Sequence, residues 1–307
     1  MVALTVDSIH KTYGSVEALK GISMSVKPGE LFGVIGPDGA GKTTLFRLVA
    51  SLLKPTSGSI SVLGLDPVKE YRELRQRIGY MPGRFSLYPD LSVEENLNFF
   101  ATVFGTTIEE NYSLIKDVYH MLEPFKTRLA GNLSGGMKQK LALSCALIHK
   151  PDLLILDEPT TGVDAVSRKE FWEMLKGLKS AGITIVVSTP YMDEASLCDR
   201  VALMQDGEIL TQDTPANITR NFGKPLYSVA NGDIYSLIKL LRSFGEVVSA
   251  FAFGQDVHVV LNHESQRNAV EAKLKAGGRD AALMPIEASI EDCFMHLMSS
   301  SETTKRG

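Results

Sequence analysis

The sequence has few cysteines and no long apolar run. Its three cysteines, Cys145, Cys198 and Cys293, lie far apart. They lack the paired spacing of a disulfide or metal framework, and so sparse a count is typical of a reducing compartment. The apolar runs at 153–156 and 183–187 are strand-length and fall far short of the roughly 20 residues that span a bilayer. With no signal-peptide pattern at the N-terminus, we expect a protein that is soluble by itself.

A surplus of basic residues is missing as well. The 307 residues include 32 Lys and Arg against 36 Asp and Glu, a formal net charge of −4. A nucleic-acid binder normally presents a basic face or stripe, so we expect no nucleic-acid partner. Hydrophobic residues make up 44% of the chain and charged residues 22%, as in an ordinary globular protein. The length allows about two domains.

The first part of the chain alternates strand-like and helix-like segments. Short β-branched runs at 31–35 and 183–187 are bounded by Gly, Pro and Asp, and helical stretches such as 42–53 and 166–180 lie between them. This alternation predicts an α/β fold in which helices cover a mostly parallel sheet.

Other regions depart from that alternation. Residues 4–9 and 22–26 predict an antiparallel β subdomain beside the core, and residues 90–147 have helical periodicity without strand signals, which predicts an inserted helical subdomain. After a break near residue 224, the segments predict a small C-terminal α+β appendage, followed by a polar, disordered tail. The predicted domains are 1–224, 225–298 and 299–307.

The residues from 36 to 43 match the phosphate-binding pattern G-x-x-x-x-G-K-[ST] between a strand and a helix, which is the context that the pattern requires. Glycines let backbone N–H groups turn toward phosphate oxygens, and the helix N-terminus adds a positive dipole. We predict that Lys42 bridges the β- and γ-phosphates and that the Thr43 hydroxyl binds Mg²⁺. The predicted phosphate loop comprises Gly36, Pro37, Asp38, Gly39, Ala40, Gly41, Lys42 and Thr43, and Thr44 completes the site.

A second motif ends the apolar run 153–156 in two acids, Asp157 and Glu158. Sheet proteins of this type bind ligand at the carboxyl ends of their strands. We predict that Asp157 holds the Mg²⁺ shell and that Glu158 polarises the attacking water. Alone, an apolar run that ends in two acids favours surface capping, so this prediction depends on the phosphate loop.

The segment 133–140 indicates the family. It reads Leu-Ser-Gly-Gly-Met-Lys-Gln-Lys and resembles the signature sequence of ABC ATPases, LSGGQ in most members, with Met137 in the glutamine position. The resemblance implies a dimeric mechanism: Ser134 and the amides of Gly135 and Gly136, at a helix N-terminus, close on the γ-phosphate held by the opposite subunit. Without its neighbouring motifs, the segment would indicate only a helix start after a serine cap.

Further elements resemble this family, in the right order along residues 2–220. Tyr13 matches the aromatic residue that stacks on adenine. The segment 159–164 resembles the loop that crosses the dimer interface, with Asp164 at its end. By itself, an early tyrosine is more often part of the core or the surface, so the assignment of Tyr13 depends on its position.

Within the family, the segments 87–97 and 285–294 resemble subunits of bacterial exporters for drugs, lipids or glycans. The motifs at 36–39 and 137–140 resemble the first half of tandem export ATPases. The resemblance implies a P-loop NTPase core that binds ATP and Mg²⁺ and hydrolyses ATP. It also implies a second nucleotide-binding domain, present in a homodimer, a heterodimer or a tandem fusion.

The same resemblance implies integral membrane permease subunits as partners. It implies a cytoplasmic protein, peripheral on the inner face of the cell membrane, with a groove near residues 85–98 that accepts a short helix from a permease. The transported substrate cannot be predicted, because specificity in this family resides in the membrane subunits.

Two positions depart from the family pattern. Where the family has a glutamine that senses Mg²⁺, this chain has Gly83, and where it has a switch histidine at the γ-phosphate, this chain has Pro190. Proline offers neither a donor side chain nor a backbone N–H. We expect this chain's own site to bind ATP well and to hydrolyse it slowly, while the partner's site is the active one. The alternative is tolerated variation in a homodimer with adequate turnover.

Two other functions stay open at this point. The first is a soluble ABC ATPase that acts on ribosomes or nucleic acid, although the stretch between phosphate loop and signature is too short for long coiled-coil insertions, and the acidic balance offers little for RNA. The second is a binding-only regulatory subunit. Gly83 and Pro190 favour this function, whereas Glu158 argues against complete inactivity.

Overall fold

The computed structural model describes residues 2–83, 87–230, 233–279 and 281–306. The chain divides into two compact units, Met1–Thr214 and Pro215–Gly307. None of the helices in these described ranges is long and apolar enough to cross a membrane.

The first unit is mixed α/β, which confirms the predicted fold class. Its strands are β1 (Leu4–Tyr13), β2 (Val16–Val26), β3 (Leu31–Ile35), β4 (Ser57–Val62), β5 (Ile78–Met81), β6 (Leu153–Asp157), β7 (Thr184–Thr189), β8 (Arg200–Gln205) and β9 (Glu208–Asp213). Its α-helices are α1 (Lys42–Val49), α2 (Tyr71–Arg77), α3 (Val93–Val103), α4 (Ile108–Tyr119), α5 (Gly135–Leu147) and α6 (Ala165–Ser180).

Six strands form the central sheet in the order β5-β6-β7-β3-β8-β9. The pairs from β5 to β8 are parallel, and β3, β6 and β7 are buried along their whole length, which matches their continuous apolar runs. The antiparallel β9 returns from β8 through Asp206 and Gly207. Both have positive φ, 49° and 81°, as a two-residue hairpin requires. The carboxyl ends of β3, β6 and β7 therefore meet at one edge of the sheet.

An antiparallel sheet of order β2-β1-β4 lies beside this core. Its inward side chains, among them Leu4 and Leu19, belong to the same buried cluster as Phe32 of β3 and Phe46 of α1. The β subdomain and the first helix of the phosphate site thus share one hydrophobic core.

Helices α3, α4 and α5 form the helical subdomain predicted at 90–147. Ser92 and Glu95 make a capping box at the start of α3, and Thr107 and Glu110 make one at the start of α4. Each box pairs two backbone N–H groups that the helix itself leaves without partners. The described part of the predicted permease groove begins at residue 87, since residues 84–86 lie outside the described ranges.

Helix α1 ends four residues before its predicted end at 53. The chain turns at Ser51, which has a positive φ of 60°, and Pro55 follows. A left-handed residue ends the regular hydrogen-bond ladder, and the nearby proline cannot resume it.

The second unit is an α+β domain with a β-α-β-β-α-β order. It consists of β10 (Leu226–Ala230), α8 (Ile234–Leu241), β11 (Val247–Phe253), β12 (Asp256–Leu261), α9 (Arg267–Ala276) and β13 (Met284–Pro285), flanked by α7 (Pro215–Arg220) and α10 (Ile290–Arg306). The sheet order is β11-β12-β10-β13, and each pair is antiparallel. This order is that of a ferredoxin-like fold.

Two limits of the second unit differ from those predicted. Helix α7 belongs to it, so the division falls before Pro215 and not after residue 224. The Sγ of Cys293 in α10 lies 3.6 Å from the carbonyl oxygen of Ile218 in α7, which joins the two helices. Helix α10 continues to Arg306, through most of the segment predicted as a disordered tail. Residues 299–306 contain no Gly or Pro that would end it.

Candidate nucleotide-binding site

The phosphate loop, residues 36–43, connects β3 to α1 at the carboxyl edge of the central sheet. Gly41 stands at the N-cap of α1 with φ of 102°, a conformation that side chains with a Cβ rarely adopt. A Cβ on Gly36 would lie 2.1 Å from the carbonyl oxygen of Met204. The two glycines are therefore required by the local fold, and they let the loop wrap closely in front of the helix N-terminus.

Lys42 is the buried cation of this loop, with 2% of the residue exposed. Its ammonium donates to the carbonyl oxygens of Gly36 at 2.8 Å and Pro37 at 3.0 Å. It also lies 3.0 Å from Oε1 of Glu158. A buried ammonium needs anionic or carbonyl partners, and here those partners hold it at the centre of the loop.

Asp157 ends β6 next to the phosphate loop. Its Oδ1 accepts hydrogen bonds from Ser188 Oγ at 2.7 Å and from Thr43 Oγ1 at 3.2 Å. Burial raises the pKa of Asp157, although the hydrogen bonds from Ser188 and Thr43 oppose the shift. A hydroxyl and a carboxylate side by side are oxygen ligands suited to Mg²⁺, which usually takes one or two protein ligands and completes its shell with phosphate and water.

Glu158 follows in an unusual backbone conformation. Its φ is 50°, which for a residue other than glycine costs on the order of 1–3 kcal/mol. Its N–H donates to both the Oγ and the carbonyl oxygen of Ser188, at 2.9 and 3.1 Å. The strained turn directs a carboxylate that is 19% exposed toward Lys42. A partly exposed carboxylate so placed can accept a proton from a water molecule.

The signature turn, Ser134, Gly135 and Gly136, starts α5. The Oγ of Ser134 accepts a hydrogen bond from the N–H of Met137 at 3.3 Å, as a helix cap does. A Cβ on Gly136 would lie 2.7 Å from Oγ of Ser167, and one on Gly135 would lie 3.5 Å from the carbonyl oxygen of Gly162. Within its own chain, the signature turn therefore packs against the residues that lead into α6.

Those residues belong to, or follow, the interface loop, which we define as residues 159–164. Asp164 ends the loop and caps α6, accepting hydrogen bonds from the N–H groups of Val166 at 3.1 Å and Ser167 at 3.0 Å. The bond from Ser167 lowers the pKa of Asp164. In this chain the carboxylate of Asp164 fixes the loop to its own helix.

Tyr13 lies at the end of β1, with 45% of the residue exposed. The ammonium of Lys11 sits 5.0 Å from the centre of its ring. An exposed aromatic ring is suited to stacking on a base, and the contact of Tyr13 with adenine stays a prediction.

Both departures from the family pattern border this site. A Cβ on Gly83 would lie 3.0 Å from the carbonyl oxygen of Asp157, so a side chain there would start beside the acidic pair. Pro190 follows Thr189, whose carbonyl oxygen accepts a hydrogen bond from the N–H of Gly36 at 3.2 Å. The two positions that lack a donor side chain thus lie next to the acidic strand end and the phosphate loop.

Ser188 is a site residue that the sequence did not reveal. Its hydroxyl binds the carboxylate of Asp157 and accepts the N–H of Glu158. The signal was present, because Ser188 is a polar residue at the end of an apolar strand run, but its relation to Asp157 depends on β7 lying beside β6.

A glycine-rich loop with a buried lysine, followed in space by a hydroxyl and two acids at the end of a parallel strand, defines a P-loop nucleotide-binding protein. Comparison with known proteins narrows the class. The family model described as ABC transporter matches residues 19–161. The Nod factor export ATP-binding protein I of Burkholderia lata is 34% identical over 296 residues, which are 94% of this chain and 95% of that protein. The chain belongs to the family of ABC transporter ATP-binding proteins.

Other relatives agree with this assignment. The probable multidrug ABC transporter ATP-binding protein YbhF of Escherichia coli is 36% identical over 98% of this chain, but the chain spans only 53% of the length of that relative. Among solved structures, a dimeric post-hydrolysis state of the ATP-binding cassette MJ0796, bound to ADP and Pi, has a TM-score of 0.62. It is 27% identical over 69% of this chain and 98% of that one.

Proposed function

We propose that this chain binds ATP with Mg²⁺ and hydrolyses it to drive export through separate integral membrane subunits. The observation that carries the proposal is the ammonium of Lys42, buried in the phosphate loop and 3.0 Å from the carboxylate of Glu158. The names of the relatives, which include export and multidrug ATP-binding proteins, support the exporter class.

The arrangement explains how binding prepares hydrolysis. A γ-phosphate at the loop offers the ammonium of Lys42 a stronger anionic partner than Glu158. Glu158 is then free to accept a proton from the attacking water. Thr43 and Asp157 are the residues that would hold Mg²⁺, which would supply neutralisation of the phosphate charge.

The site is completed by a second nucleotide-binding domain. The signature turn presents the N-terminus of α5, which is an anion-binding feature, but it packs against its own α6 residues and interface loop. We therefore assign it to the γ-phosphate held by a partner's loop. The dimeric state of the related cassette MJ0796 supports this assignment.

The completed pair of sites is asymmetric. Gly83 and Pro190 deprive this chain's own site of two polar contacts, whereas the signature turn offered to the partner is intact. A heterodimer, or a tandem fusion with a second nucleotide domain, is favoured over a homodimer, since a homodimer would contain two weakened sites.

The membrane partner docks on the helical subdomain, which puts the chain at the cytoplasmic face of the membrane. The exposed side chains of Tyr88 and Phe99 pack edge to face with ring centres 4.8 Å apart, and Phe99 also contacts Phe100 at 5.4 Å. Val103 on the same helix is exposed. An aromatic patch of this kind is typical of a protein interface.

Phosphate release by the purified full chain tests the proposal. Wild type should bind Mg·ATP and hydrolyse it slowly. Glu158→Gln should keep the binding and lose the turnover, while the exposed Glu173→Gln serves as the matched control. Failure of wild type to bind Mg·ATP would contradict the proposal. Binding without turnover, even with a cognate permease and second nucleotide domain, would favour the regulatory alternative, and stimulation by RNA or DNA would favour the nucleic-acid alternative.

A further inference from the structure

A buried carboxylate lies behind the nucleotide site and belongs to none of the motifs. Glu194, in the short helix Met192–Leu197, is 3% exposed. Its Oε2 accepts hydrogen bonds from Thr189 Oγ1 at 2.5 Å and Thr160 Oγ1 at 3.1 Å. Both threonines are fully buried. Because they lie in different segments of the site, one carboxylate oxygen joins these two segments.

One of the two segments is the interface loop, and the other contacts the phosphate loop. Thr160 stands near the start of the interface loop. Thr189 ends β7 directly before Pro190, and its carbonyl oxygen accepts the N–H of Gly36 in the phosphate loop. Through Glu194, the interface loop is therefore two hydrogen bonds away from the strand end that contacts the phosphate loop.

The second oxygen of the carboxylate faces the other end of the interface loop. Nε of Arg168, on α6 just beyond the loop, lies 3.9 Å from Oε1. The guanidinium is held by the ring of Tyr191 at 4.4 Å and the carboxylate of Asp193 at 3.3 Å. Within the described parts of the chain, Oε1 is buried without a hydrogen-bond partner. A shift of about 1 Å would bring the guanidinium within hydrogen-bond distance.

We propose that Glu194 is a positioning residue that couples the interface loop to the ATP site of its own chain. The carboxylate is hydrogen-bonded to the start of the loop through Thr160 and to the strand end through Thr189, and it lies 3.9 Å from Arg168, just beyond the other end of the loop. When a second nucleotide domain binds the interface loop, the resulting shift of the loop is transmitted to the strand end beside the phosphate loop. In the opposite direction, nucleotide binding at the phosphate loop changes the position of the interface loop. The inference rests on the proposed function, because it concerns the same site.

Two predictions separate coupling from a structural role. ATP affinity should be unchanged by loss of Glu194, because the nucleotide is held by the phosphate loop, whereas turnover should fall by roughly 10- to 100-fold, as expected when catalytic groups are misplaced. A carboxylate that only stabilised the fold would lower the melting temperature, the affinity and the turnover together.

The experiment compares wild type, Glu194→Ala and Glu194→Gln in the full chain. Glutamine keeps an oxygen acceptor for the threonines, so Glu194→Gln should recover part of the turnover. This variant also keeps the proposal testable if Glu194→Ala does not fold. Glu173→Gln is the matched control: it neutralises an exposed carboxylate on α6 whose partner is Lys176, leaves both threonine bonds and Arg168 intact, and should behave as wild type.

Hydrogen exchange supplies a readout that does not require hydrolysis. In wild type, Mg·ATP should slow exchange both at the phosphate loop and at residues 160–164. In Glu194→Ala, protection of the phosphate loop should persist while protection at 160–164 is lost. Protection at both places in the variant, or turnover equal to wild type, would overturn the coupling. Absence of phosphate-loop protection in wild type would instead overturn the proposed function.

Discussion

Restoring the two missing polar side chains should accelerate hydrolysis at this chain's own ATP site. The double substitution Gly83→Gln and Pro190→His supplies donors beside the acidic pair and beside the phosphate loop. Neither change removes a hydrogen bond, because glycine has no side chain and proline has no backbone N–H. The bond from the N–H of Tyr191 to Thr189 Oγ1, at 3.1 Å, does not involve residue 190.

The magnitude follows from the geometry at the two positions. The Cβ of a glutamine at position 83 would lie 3.0 Å from the carbonyl oxygen of Asp157, so the backbone there must give by a few tenths of an ångström. Loss of Pro190 frees the unfolded chain and costs about 0.4–1 kcal/mol of stability. A single charge-stabilising contact commonly contributes on the order of 10²-fold in rate. We expect a gain of between about 10- and 100-fold in turnover, with a slightly lower melting temperature.

Phosphate release at saturating Mg·ATP measures the gain. The same double substitution in a Glu158→Gln background is the control, and it should show no gain if the new turnover occurs at this chain's own acidic pair. The asymmetric account is refuted if wild type already hydrolyses ATP as fast as the double variant.

Three further variants test individual parts of the structure. Gly36→Ala places a Cβ 2.1 Å from the carbonyl oxygen of Met204; thermal denaturation should show a loss of about 1–3 kcal/mol or more, and a fully stable variant would contradict the loop geometry. Ser134→Ala removes a helix cap and should cost about 1 kcal/mol; it should also slow turnover by an assembled pair of nucleotide domains, and unchanged turnover would contradict the role of the signature turn. Asp292→Ala removes the buried carboxylate that lies 2.6 Å from Nδ1 of His258. Denaturation should show a loss of about 1–3 kcal/mol for each buried group left unpaired, and an unchanged transition would contradict the burial of this pair.

Most elements of the candidate site could be predicted from local sequence patterns. The strand 31–35, the loop after it and the start of α1 at Lys42 are consecutive in the sequence, and their backbone requirements are met by Gly36 and Gly41 within the motif itself. The acidic pair likewise ends its own strand. Such elements can be predicted from one sequence because each is specified by neighbouring residues.

Contacts between distant segments could not be predicted in this way. Ser188 binds Asp157 only because β7 pairs with β6, and the order of strands in a sheet is not written in any single segment. Glu194 was hidden for the same reason, since its partners Thr160 and Thr189 lie in two other segments. In the sequence, Thr160 is an ordinary loop residue and Thr189 an ordinary strand residue, and their contact with Glu194 forms only in the folded chain.

In the second unit, too, local features could be predicted from the sequence and long-range contacts could not. The order of its strands and helices could be read from the apolar periodicity of 234–244 and 257–261. The antiparallel order β11-β12-β10-β13, and the contact between α7 and α10 that moves the boundary to Pro215, depend on long-range packing that periodicity does not encode.

Calorimetric titration of the purified full chain with Mg·ATP tests the central claim most directly, with Lys42→Ala as the variant and the exposed Lys54→Ala as its control. A charge-assisted hydrogen bond contributes about 1.5–3 kcal/mol. Wild type and the Lys54 variant should therefore bind equally, and the Lys42 variant roughly 10- to 100-fold more weakly. No heat of binding in wild type, or equal affinity in the Lys42 variant, would contradict the nucleotide site that this account describes.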